Sequence, residues 1–143
     1  MPTRHKLTTY AITISTLRQH RHFQKTENAE LFIATLFHYR DQKKFLLHGF
    51  VVMPDHVHVL ITPSLDQSTA RCVQLIKGGY SHAAAGHGVI WHSGYFEHSV
   101  RVESDFCAQL AYIAANPARK QYVDYPHVHT LYLGQIDPSP IQS

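Results

Sequence analysis

Cysteine is almost missing from this chain of 143 residues: Cys72 and Cys107 are the only two, too few for a disulfide framework. That excludes a stapled secreted scaffold and makes a reducing, cytoplasmic location the expectation. No run of about 18 apolar residues occurs, so no membrane association through a spanning helix is expected. The opening Met1-Pro2-Thr3-Arg4-His5-Lys6 lacks the apolar stretch of a signal peptide. Charge is scarce as well. Only 16% of residues are charged and the formal net charge is +3, far milder than in folds that grip nucleic acid through charge alone. Repeats, low-complexity tracts and linkers are absent, so one domain spanning 1–143 is expected, with about 120–143 as a proline-punctuated surface tail.

What is present is a composition able to bury a core, 44% hydrophobic, and an excess of histidine, 13 in all. Residues 1–25 carry Arg4, Lys6, Arg18, Arg21 and Lys25 and no carboxylate, which suits a phosphate-facing segment or a solvated face. Thr8 to Leu17 is rich in β-branched residues and predicts a first strand. Asn28 is placed to cap a helix running to Tyr39. Phe45 to Met53 is an apolar strand, broken at Pro54-Asp55 and resumed from Val57 to Ile61, which predicts an antiparallel hairpin. Ser68 opens a second helix carrying Cys72, Leu75, Ile76 and Ala83 at helical spacing, with an interruption expected at Gly78-Gly79. Tyr95 to Val102 predicts a fourth strand. Ser104 would cap a third helix that stops near Asn116, because a residue before proline avoids helical geometry. The order βαββαβ, followed by one more helix, predicts an α+β, ferredoxin-like (RRM-like) antiparallel sheet with two helices on one face and the added helix on the other.

His56 and His58 stand two apart at the start of the third strand, so their imidazoles share a face while Val57, Val59 and Ile61 point to the core. Such a pair makes half of a divalent-metal site. Chance alone gives about one His-x-His triplet at this histidine content. Three occur, at 20/22, 56/58 and 127/129, so spacing alone does not decide. On a helical wheel, Phe106, Cys107, Leu110, Ile113 and Ala114 form the buried side of the third helix. Ala108, Ala111, Tyr112, Ala115 and Asn116 fall on the opposite arc, with Tyr112 and Asn116 one turn apart. A helical tyrosine is ordinarily a packing residue and an asparagine at a helix end a cap. On the open face the two could instead complete a metal-and-nucleophile site.

Three segments together resemble a known family. Gly49-Phe50-Val51-Val52-Met53-Pro54-Asp55-His56-Val57-His58-Val59-Leu60 is similar to the histidine–hydrophobe–histidine signature of the HUH single-tyrosine transposases, and within them to the REP-associated tyrosine transposase branch. Trp91 to Arg101 resembles that branch's fourth-strand segment, and Leu110-Ala111-Tyr112-Ile113-Ala114-Ala115-Asn116-Pro117 its tyrosine helix. The resemblance runs from about Thr8 to Pro126. It departs at Ala118, where relatives often carry valine, and at Tyr125-Pro126-His127-Val128-His129, where they carry Tyr-Pro-Trp-Ser-Ser.

The resemblance implies that His56, His58 and Asn116 hold a divalent metal, Mg²⁺ or Mn²⁺, and that Tyr112 is the nucleophile. The substrate would be single-stranded DNA with hairpin ends, cut and rejoined through a covalent 5′-phosphotyrosine, by a monomer or a homodimer. From the residues themselves, Arg4, Lys6, Arg18, Arg71 and Lys77 are phosphate contacts or ordinary surface charges, Trp91 and Tyr95 base-stacking or core aromatics, and Gln109 or the metal positions the phenolic proton. Metal ligation needs neutral imidazoles, so activity should fall as pH drops through about 6.5. Two rival readings remain: an inactive relative that only binds nucleic-acid hairpins, and a hydrolase whose histidine-bound metal activates water while Tyr112 is structural.

Overall fold

The computed structural model describes residues 7–141, so Arg4 and Lys6 lie outside the described residues. Four strands, β1 (Thr9–Ser15), β2 (Phe45–Met53), β3 (His56–Pro63) and β4 (Phe96–Val100), form one antiparallel sheet in the order β2-β3-β1-β4. The helices α1 (Thr26–Asp41) and α2 (Thr69–Ala83) connect β1 to β2 and β3 to β4, and α3 (Glu103–Arg119) follows β4. This is the expected ferredoxin-like arrangement.

Alternation along the strands sorts side chains between two cores. Ile12 and Ile14 of β1 and Val57, Val59 and Ile61 of β3 bury themselves against Phe32 and Leu36 of α1 and Cys72, Ile76 and Tyr80 of α2. On the other face Val51, Met53 and Leu60 meet Phe106 and Ile113 of α3. Two glycines permit the close approaches. A Cβ on Gly49 would stand 2.6 Å from Leu110 Cδ1, so its absence lets α3 settle onto β2. A Cβ on Gly79 would overlap the Tyr39 ring, so Gly79 seats α1 against α2. The α2 helix runs through Gly78-Gly79 without the expected interruption, because Tyr39 fills the space over Gly79.

Several boundaries differ from expectation. Asn28 does not cap α1. It lies inside the helix, and its amide donates to His22 O at 2.8 Å. Ser68 does cap α2, accepting from Arg71 N at 3.0 Å. The residue preceding α3 at its N-cap is Val102 rather than the expected Ser104, and the helix continues three residues past Asn116. Pro117 has no N–H to give. The last turn closes instead through Lys120 N–H, which reaches the carbonyls of Asn116 and Pro117, while both of those side chains are buried. Cys107, expected on the buried side of α3, is exposed, since α3 packs along Phe106, Ile113, Asn116 and Pro117.

The stretch after Arg119 is not simply a surface tail. Val128 bridges to Val51, Val52 N–H donates to His127 O at 2.9 Å, and His127, Val128 and His129 are buried. The free edge of β2 has backbone groups to satisfy, and this segment satisfies them. Farther on, Asp137 takes two hydrogen bonds from Arg40, at 2.8 and 3.1 Å, and one from Leu47 N–H at 2.9 Å. The β2–β3 register slips at His48. There its Nδ1–H donates to Asp137 O at 2.8 Å, leaving Nε2 to accept from the Thr62 hydroxyl at 2.7 Å.

Candidate active site

The Pro54-Asp55 turn delivers His56 to the first position of β3. Thr16 holds the turn from β1, its N–H and hydroxyl both donating to Asp55 O at 3.0 and 2.9 Å. The Asp55 carboxylate then accepts from His56 Nδ1–H at 2.7 Å. One pleat further, His58 Nδ1 meets Thr13 Oγ1 at 2.9 Å, the residue directly opposite on β1. Each imidazole is therefore anchored through Nδ1, which leaves Nε2 for a ligand, the arrangement usual in metal-binding histidines. The two rings lie 4.8 Å apart, edge to face.

From the other side, α3 presents Tyr112. Its ring centroid is 5.9 Å from that of His58, nearly perpendicular to it, and the side chain is half exposed. A cation sits over the same ring: the Arg119 guanidinium is 4.0 Å from the Tyr112 ring centroid and donates to Tyr112 O at 3.0 Å. Arg119 is seven residues beyond Tyr112, two helical turns, and so lies on the same side of α3. A helix ended at Asn116 hides this relation.

Asn116 does not share the open arc of Tyr112. It is 3% exposed, on the packed side of α3, and its Oδ1 is buried without a hydrogen-bond partner. A buried amide oxygen left unpaired is costly, and an oxygen donor of this kind fits a hard divalent cation. Among the described residues, no three His, Cys, Asp or Glu side chains group to hold a metal. A third protein ligand beside the histidine pair would therefore be of another type, such as an amide oxygen. Burial first, then the neighbouring His56 and Arg119 charges, push the His58 pKa down to about 4. His58 thus stays neutral far below the pH 6.5 at which its loss was expected.

The remaining expected residues divide. Gln109 lines the same groove as Tyr112 and His58, but its amide donates to Asp105 Oδ1 at 3.3 Å rather than to the phenol. Arg71 bonds Gln74 on the exposed side of α2, across the sheet from the histidines. Lys77 is committed to the carbonyls of His92 and Gly94, at 2.9 and 2.8 Å, where it ties down the loop entering β4. Arg18 is exposed just past β1. Trp91 is no surface platform. It packs with Phe23, Phe32 and Tyr80, its indole N–H donating to Lys77 O. Tyr95 is half-buried against the same core, its hydroxyl near Thr69 and Glu97. Arg21, one of the basic residues of the N-terminal segment, and Lys120, which the sequence did not single out, line a hollow of about 270 Å³ beside Asp55, His56 and Tyr122.

Residues 4–116 match the family model described as "Transposase IS200 like". The chain belongs to this IS200-like transposase family. A relative from Escherichia coli (strain K12), a REP-associated tyrosine transposase, is 28% identical over 123 residues, covering 82% of this chain and 73% of its own length. The fold is likewise shared with solved structures. A REP-associated tyrosine transposase bound to a REP hairpin superposes with a TM-score of 0.76 at 20% identity, over 100% of this chain and 94% of that one. A candidate transposase from Deinococcus radiodurans R1 gives 0.60 at 21% identity, over 86% and 98%. For this family member, as for the sequence resemblance, the His56/His58 strand and the Tyr112 helix are the elements the shared fold brings face to face. No helix among the described residues is long and apolar enough to cross a membrane.

Proposed function

We propose that this IS200-like transposase cleaves and rejoins single-stranded DNA by attack of Tyr112 on a backbone phosphate, with hairpin-ended strands as its substrate. The observation that carries this reading is the placement of an exposed phenol 5.9 Å from His58 within one chain. The hairpin preference rests on the relative solved with a REP hairpin. His56 and His58, through Nε2, and Asn116, through Oδ1, would hold Mg²⁺ or Mn²⁺. Such an ion, when bound, supplies Lewis-acid polarisation of a non-bridging phosphate oxygen.

The rest of the chemistry belongs to the chain. Arg119 holds its guanidinium over the Tyr112 ring, 4.0 Å from the centroid, and keeps a positive charge beside the side chain that must meet an anionic phosphate. The phenolic oxygen forms a bond to phosphorus as the bond to the 3′-oxygen breaks, leaving a 5′-phosphotyrosine and a free 3′-hydroxyl. The proton lost by the phenol is balanced by the one the 3′-oxygen gains, and Gln109 is the nearby amide available to orient it. One phosphodiester replaces another, so the 3′-hydroxyl of a second strand reverses the step without external energy. On this reading Tyr112 serves the His56/His58 pair of its own chain, and a homodimer is not required for attack.

The test is a set of hairpin oligonucleotides with randomised single-stranded flanks, labelled at the 3′ end and incubated with Mn²⁺. The wild type should yield a labelled, SDS-resistant adduct, and Tyr112→Phe should bind the DNA without forming it. Cleavage that survives Tyr112→Phe would identify a water-activating hydrolase. Binding by the wild type with no adduct and no cut would identify a binding module.

A further inference from the structure

The groove beside Tyr112 is larger than the attack of a phenol on a phosphate requires. It has a volume of about 490 Å³ between α3 and the sheet, and His58, Tyr112, Phe96 and His98 all line it. Phe96, the first residue of β4, is 69% exposed. A phenyl ring on a strand ordinarily seeks a core, so its position calls for a reason. The register shows where it stands. Thr13 pairs with His58 on one side and with Phe96 on the other. Directly opposed residues of antiparallel strands point to the same face, so His58, Thr13 and Phe96 form one row on the α3 side. Two inter-strand spacings place Phe96 about 10 Å from His58 along that row.

The surroundings limit what can lie on the ring. The groove is closed along β4 by His98, whose Nε2 is 2.8 Å from Asp105 Oδ2 on α3. On its outer side β4 has no neighbouring strand, which leaves that side open for a chain to enter. The strand is short, and Glu97 and His98 make it polar. Such an edge discourages strand pairing with a second copy of the protein. A flat, uncharged group with a π face, continuous with an anionic one at Tyr112, matches the space.

We propose that Phe96 is a stacking platform for a nucleobase of single-stranded DNA adjoining the phosphate that Tyr112 attacks. This rests on the proposed DNA chemistry and adds the residue that fixes the strand beside it. Stacking is indifferent to base identity, since every base has a π face, so Phe96 positions the strand and leaves sequence choice to other contacts.

The experiment uses full-length protein carrying Tyr112→Phe, which removes the reaction, and two fluorescent probes: a short oligothymidylate and the same backbone made of abasic sites. Phe96→Ala in this background should weaken oligothymidylate binding by about 5- to 150-fold, the range found for base–aromatic stacking. Abasic binding and the salt dependence, which report phosphate contacts, should not change, and Phe96→Trp should restore affinity. Ultraviolet cross-linking of a 5-iodouracil probe should map to the peptide containing Phe96. Equal loss of affinity for both probes, or no loss for either, overturns the proposal. So does a change of Phe96→Ala from dimer to monomer in sedimentation with DNA affinity intact, which would make the ring a self-association contact. Adduct formation is read separately, with Tyr112 present, so absence of an adduct beside Phe96-dependent binding would sink the cleavage reading and not the stacking platform.

Discussion

Replacing Asn116 by leucine should stabilise the metal-free protein while removing its response to metal. Asn116 is 3% exposed and its Oδ1 has no partner. An unsatisfied buried polar atom costs about 1–3 kcal/mol, and an apolar group of similar shape removes that cost. Asn116→Leu should therefore be at least as stable as wild type in EDTA, by up to about 3 kcal/mol, or about 3–5 °C in Tm per kcal/mol for a chain of this size. Metal acts in the other direction. A ligand that binds only the folded state adds about 2.7 kcal/mol at a hundred times its Kd, and the wild type should gain on this scale with Mn²⁺. The variant, reduced to the His56/His58 pair, should gain much less. Urea unfolding with and without Mn²⁺ measures both terms, and the order of stability should cross between the two conditions. A variant more than about 1 kcal/mol less stable than wild type in EDTA would mean that the oxygen has a partner. An undiminished Mn²⁺ gain would mean that Asn116 is not a ligand. Either result refutes the reasoning.

Three further predictions concern the scaffold. Burial holds the pKa of His48 and of His129 below 6.5, partly opposed by hydrogen bonds to Asp137 and Phe50 carbonyls. The unfolded chain then binds more protons below pH 6.5, so stability is complete above that pH and is lost as pH falls toward the folded-state values. Urea midpoints should therefore fall as pH drops below 6.5, and midpoints that stay level between pH 7 and 5 would contradict it. Burial works against ionisation of Asp137, but the Arg40 hydrogen bonds and Leu47 N–H outweigh it and hold the carboxyl below its ordinary range. Asp137→Ala should therefore cost about 2 kcal/mol, with faster proteolysis after Arg119. Below the ordinary carboxylate pKa, as the wild-type carboxyl protonates, that difference should shrink. Gly79→Ala should destabilise by driving a methyl group into the Tyr39 ring, at about 1–3 kcal/mol. Tyr39→Ala in the same chain should relieve it, and additive losses in the double variant would exclude the contact.

Whatever depends on short period was legible in the sequence. The bounds of β2 follow from one apolar run, and alternation in β3 puts His56 and His58 on a shared face, with rings 4.8 Å apart. What depends on long-range contact was not. Nothing local announces that His127 and His129 will serve the edge of β2. Nor does Gly49 announce that Leu110 will rest on it. Lys77 reads as a free surface cation until the loop carbonyls of His92 and Gly94 appear around it.

The end of α3 shows how one local rule misplaces several residues at once. A preference of the residue before proline was treated as a stop, although it is only a bias that burial can override. With the helix stopped at Asn116, that side chain becomes a cap on the open arc and Arg119 a loop cation. With Pro117 carried inside the last turn, Asn116 faces inward with an unpaired oxygen, and Arg119 comes round to cover Tyr112. Three residues of extra helix therefore leave the orphan oxygen on the packed side of α3 and bring the cation onto the phenol ring. Had α3 ended where the sequence rule placed it, Arg119 would not stand over the Tyr112 ring.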